Sequence, residues 1–117
     1  MKDPRLEQLA NLLLTQSLKL QPGEIFAINS GAAANPLNKA LLRAAKAKGL
    51  YPVMRLSDDE LSRLFYDCID PEHPEAMQSN IEKQVAWELN MWESIAAHVD
   101  VGIDENEKEL EINENNQ

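Results

Sequence analysis

Between Ile25 and Leu56 the chain writes a strand, a helix and a second strand with little between them. The run Ile25-Phe26-Ala27-Ile28 has no polar alternation, which suits a strand buried on both faces. Asn35 and Pro36 then mark a helix start, with asparagine as cap and proline at the first position. Leu37, Ala40, Leu41 and Ala44 recur at helical spacing, and Gly49 supplies a stop. Tyr51 to Leu56, "YPVMRL", reads as the second strand, with Pro52 tolerable near its start or on a sheet edge. Two strands joined by a helix of this length run parallel, with a right-handed crossover. That unit commits the chain to an α/β fold.

The flanking segments extend the pattern. Asp3 to Leu20 reads as a helix capped by Asp3, with Leu6, Leu9, Leu13 and Leu20 on one face. Ala10 and Ser17 share that face and allow close approach, and Gln21-Pro22-Gly23 ends the helix. Ser57-Asp58-Asp59-Glu60 has the form of a capping box. The helix it opens carries Leu61, Leu64, Phe65 and Cys68 on one side. After a polar corner from Asp70 to Pro74, a long helix is expected from about Glu75 to His98, and Val99 to Ile103 as a third strand. The expected order is α-β-α-β-α-α-β. It describes a small three-layer α/β domain over residues 1–103, with a short, mainly parallel three-stranded sheet in the order 2-1-3. Residues 104–117 read as an acidic, flexible tail with no further packed element.

Charge narrows the partners. The net charge of −9 arises from 20 acidic against 11 basic residues, and the tail holds six acids and only Lys108. Such a surface is repelled by nucleic-acid phosphates and by anionic membranes. No apolar run approaches the ~20 residues of a membrane span, and the charged N-terminus lacks a signal-peptide core. A soluble cytoplasmic protein is the expectation, and the single cysteine, Cys68, excludes an intrachain disulfide.

Candidate sites are few. The loop "NSGAAANP" after the first strand offers only Gly31 where a dinucleotide fingerprint needs three glycines. Pro36 also removes a backbone N–H that an anion would use, so a tight corner is the better reading. Asp58, Asp59 and Glu60 are explained by capping and the helix dipole. Cys68 falls on an apolar stripe and is expected to be packed. His73 precedes a proline, and His98 is expected at a helix end. These three give no ligand spacing for a metal, and the sequence nominates no catalytic residue. On the long helix, Met77, Ile81, Val85, Leu89, Trp92 and Ala96 form one stripe, and Trp87 and Met91 lie off it. A second apolar patch on an amphipathic helix is a modest exposed pair, a face covered by the first helix, or a surface for a partner or missing domain. Trp87 and Met91 are therefore the candidate interface.

The order of residues resembles a known family. "DPRLEQLANLLLTQSLKLQPGE", "NPLNKALLRAAKAKGLYPVMRLSDDELSRLF" and the Trp-bearing helix running into "HVDVGI" are similar to the N-terminal domain of the aminopeptidase T-like dinuclear metallo-aminopeptidases. The similarity spans about Asp3 to Leu110. It implies a parent activity of removing N-terminal amino acids from peptides with two divalent metal ions. It also implies that the metal-binding glutamates, histidines, tyrosine and aspartate belong to a separate C-terminal domain. No residue here matches that ligand set, so none is assigned as a metal or catalytic residue. The expected partner is the missing catalytic domain or a second copy of this chain. The alternative is a stand-alone interaction or self-association module. A self-sufficient peptidase using His73, His98 and nearby acids is the least supported reading.

Overall fold

The computed structural model of the chain describes residues 3–68, 72–104 and 109–116. These residues form two compact units, one of residues 1–57 with 95–117, the other of residues 58–94. The first unit contains helices α1 (Pro4–Leu12) and α2 (Asn35–Lys48) and strands β1 (Ile25–Gly31), β2 (Tyr51–Ser57), β3 (Ala97–Asp104) and β4 (Glu109–Asn116). The second contains helices α3 (Asp59–Asp67) and α4 (Pro74–Ser94).

The sheet order is β2-β1-β3-β4. β1 pairs in parallel with both β2 and β3, so the three parallel strands stand in the expected order, flanked by helices. The fourth strand corrects the expectation of no further packed element after β3. Residues 109–116 alternate acidic or amide side chains with Leu110 and Ile112, a period of two that suits a strand with one face on the core. The strand runs antiparallel to β3, with Ile112 opposite Val101 and half-buried against the core. The density of glutamates disguised that alternation. Glu105 to Lys108, including the tail acids Glu105 and Glu107, lie outside the described residues, as do Asp70 and Pro71 of the expected polar corner.

The core gathers Phe26 and Ile28 of β1, Ala97, Val99 and Val101 of β3, and the facing leucines and alanines of the helices. Leu14, Leu37 and Leu41 are almost completely enclosed among them. Full burial of such side chains stabilises by roughly 1.5–3 kcal/mol each. Helices α1 and α2 are also joined across their outer edges, where Arg43 Nε donates to Glu7 Oε1 at 2.8 Å.

The first helix departs from its expected register. Asp3 does cap α1, its carboxylate accepting from the Arg5 N–H at 2.9 Å. Leu13 to Ser17, however, form a π-helical turn, with the Leu18 N–H reaching Leu13 O at 2.9 Å. A π turn is wider than an α turn and rotates the residues beyond it about the helix axis. Leu14 and Leu18 therefore enter the core beside Leu13, whereas Ser17, expected on the packed face, is exposed. The chain leaves this helix through Lys19 at φ +53°, a left-handed conformation unusual for a residue with a Cβ.

The junction of β1 and α2 is a tight corner. Gly31 ends β1, and a Cβ there would stand 3.2 Å from the Ser57 carbonyl oxygen of β2. Ala32–Ala34 make one 3-10 turn, and Ala34, not Asn35, occupies the cap position of α2. Asn35 is instead the first helical residue, and its Oδ1 accepts from Asn38 Nδ2 at 3.1 Å. The same Asn38 amide donates to Gly31 O at 3.1 Å. Asn38 is 3 % exposed, so a buried amide clips the end of β1 to the first turn of α2. At its other end α2 stops at Gly49 with φ +71°, where Leu50 N–H returns to Ala45 O.

Candidate functional site

The second unit carries the residues singled out as an interface. Its first helix begins one residue later than the capping-box spacing implied. Ser57 stays in β2, with its hydroxyl turned toward Ser30 O at 3.4 Å. Asp58 is the cap, accepting from the Leu61 N–H at 3.0 Å. Asp59 and Glu60 fill the first turn, where carboxylates favour the positive helix end.

Along α3, the apolar face of Leu61, Leu64 and Phe65 forms as the periodicity indicated, and all three residues are exposed. Cys68, expected to be packed, is exposed too, its Sγ directed at Leu64 O at 3.5 Å. A stripe at helical spacing predicts which residues share a face. It does not guarantee an element to cover it.

Helix α4 ends at Ser94, earlier than expected. The Ala96 N–H donates to Ile25 O at 2.8 Å, so strand pairing with β1 begins where helical periodicity still continues. Ala96 thus lies beyond the stripe assigned to it, and His98 sits inside β3, not at a helix terminus. On α4, Ile81, Val85 and Leu89 are exposed, while Met77 and Trp92 are half-buried. Trp87 is 76 % exposed, and Met91, one turn on, is half-buried. A tryptophan exposed to that degree offers a large apolar face with one N–H donor.

Within this unit a cleft of about 470 Å³ is lined by Phe65, Cys68, His73, Met77, Ile81 and Gln84, among others. Its walls are mostly apolar, with a thiol, an imidazole and the two amides of Asn80 and Gln84 among them. Cys68 and His73 therefore share one cleft, and His98 belongs to the other unit.

In that other unit, β1 and β3 bring together a polar group that sequence reasoning missed. Asn29 Nδ2 donates to Asp100 Oδ1 at 2.7 Å, and His98 Nδ1 stands 3.6 Å from the same oxygen. Asn29 is opposite Asp100 in the ladder, and Ala27 opposite His98. The signal was present in His98-Val99-Asp100, because alternate residues of a strand share a face. It became readable only once the strand was known to start at Ala97.

A catalytic metal needs several converging nitrogen, oxygen or sulfur ligands, typically three from the protein with an open position. Among the described residues no group of three or more His, Cys, Asp or Glu side chains is placed to hold one. Among the described residues, the donors do not converge as a dinuclear metal centre requires. None of the described helices is long and apolar enough to cross a membrane.

Comparison with curated proteins gives no match. Comparison with protein families matches residues 2–116 to the family described as thermophilic metalloprotease (M29). The match runs through the parallel sheet, both helices packed on it and the whole α3–α4 segment. With nearly every residue inside that match, the chain belongs to the thermophilic metalloprotease (M29) family.

Proposed function

We propose that this chain is the N-terminal domain, or a short relative, of an aminopeptidase T-like metallo-aminopeptidase. Its role is to shape and support a peptidase site whose two divalent ions are held by residues outside residues 1–117. The observation that carries this reading is the family match over residues 2–116. It is supported by a donor set that does not converge on a dinuclear metal centre among the described residues. A two-metal hydrolase requires ligands that hold both ions around an activated water, and a domain without them cannot run that step alone. In this reading the cytoplasm is the working compartment, and Trp87 and Met91 face the catalytic domain or a second subunit.

The test is to mix the purified chain with the catalytic domain of a family member and assay cleavage of aminoacyl anilides. Association that raises cleavage over the catalytic domain alone is the expected result. Two pieces that neither bind nor affect each other's activity would count against the reading. A second reading, a self-associating module, is favoured by one observation, the exposure of Trp87 and the apolar faces of α3 and α4.

A further inference from the structure

Residues 58–94 contain ten acidic and two basic residues, so the α3–α4 unit carries −8. Such a surface draws cations toward it. The cleft of about 470 Å³ within this unit has apolar walls at Phe65, Ala76 and Ile81. Three further lining residues, Cys68, His73 and Met77, bring a thiol, an imidazole and a thioether to the same cavity.

The helix ends place these donors. Cys68 is the C-cap of α3, its N–H bonded to Phe65 O at 3.0 Å. His73 stands just before Pro74, the first residue of α4, and its carbonyl accepts the Met77 N–H at 3.1 Å. Residues four apart across a helical turn lie on one side of it, so the imidazole and the thioether share a wall of the cleft. The Cys68 thiol is directed at Leu64 O at 3.5 Å, a weak hydrogen bond that a metal–sulfur bond can replace.

Donor softness selects the ion. Thiolate and thioether sulfur favour copper(I), and imidazole also suits copper. Zinc is held by at least three Cys, His, Asp or Glu side chains, and this cleft has two. We propose that Cys68, His73 and Met77 form a mononuclear copper(I) site in the α3–α4 cleft. On binding, a copper–sulfur bond forms, the S–H bond of Cys68 breaks, and its proton passes to water with no change of oxidation state. The apolar walls and the thioether favour copper(I) over copper(II), which takes nitrogen and oxygen ligands in a tetragonal arrangement. The site is distinct from the two divalent ions of the peptidase reading and stands independently of it.

The test is an anaerobic titration of the reduced 117-residue chain with copper(I) in competition with bicinchoninate, whose coloured complex reports the copper left to it. The expected result is one copper(I) withdrawn per chain, with X-ray absorption showing sulfur and nitrogen together around the ion. Cys68→Ser, His73→Gln and Met77→Leu should each weaken binding at least about tenfold, a loss that even an outer-shell partner of a metal site can carry. None of the three side chains belongs to the core, and circular dichroism checks that the variants fold. A chain that withdraws no copper overturns the proposal. Binding left unweakened by both His73→Gln and Met77→Leu overturns it as well, because the thiol alone would then hold the ion.

Discussion

Gly49 and Lys19 sit at comparable places, each just past a helix end and each with positive φ, and only one is a glycine. For a residue with a Cβ the left-handed conformation is unfavourable by roughly 1–2 kcal/mol. Gly49→Ala is therefore expected to destabilise the chain by about 1 kcal/mol, and Lys19→Gly to stabilise it by up to about 1 kcal/mol. Urea denaturation of the two variants checks both signs. Gly49 was legible as a helix stop because glycine comes directly after a periodic segment. Lys19 was not, because its conformation results from a π turn that no local residue announces. Trp87 shows the same divide at the level of a side chain. Its displacement from the α4 stripe could be read from spacing, and its degree of exposure could not.

Among the elements, those made by local chemistry were the most legible. α2 and β1 have an unbroken apolar pattern and punctuated ends, and both appear close to the expected bounds. Misreadings arose where a distant partner decides the outcome. The end of α4 is set by the hydrogen bond from Ala96 to Ile25, some seventy positions away in sequence. β4 depends on the free edge of β3, and its alternation is hidden under acidic residues. Ile112 gives that strand its hold on the core, and shortening it removes apolar contact opposite Val101. Ile112→Ala is expected to destabilise by about 1 kcal/mol, less than at a fully buried site because Ile112 is only half-buried. The same urea titration reads it. A loss indistinguishable from zero would mean that β4 adds nothing to the stability of the sheet.

For the whole molecule, the negative net charge argues on electrostatic grounds against nucleic acid and anionic membranes as partners, and the pattern of elements bounded the fold to one class. The absence of a dinuclear ligand set among the described residues is likewise a statement at this scale, and calorimetry can examine it directly. A ligand that binds only the folded state raises the unfolding temperature by mass action. Zinc or cobalt at a modest excess is therefore expected to leave the unfolding temperature of this chain unchanged, and a rise of several degrees would mean that a metal site exists within it. The Asn29–Asp100–His98 group is where such a result would first point, since it holds two of the needed donor types on one strand face.

The α3–α4 segment is spliced between β2 and β3, the two strands on either side of β1. Both of its ends are thereby moored in the same sheet. Any molecule that grips the two helices and fixes their separation shortens the slack in that tether, and a shorter tether gives up less freedom when β3 docks. Capture at a helical surface would in this way be felt as added tightness in strands the visitor never touches.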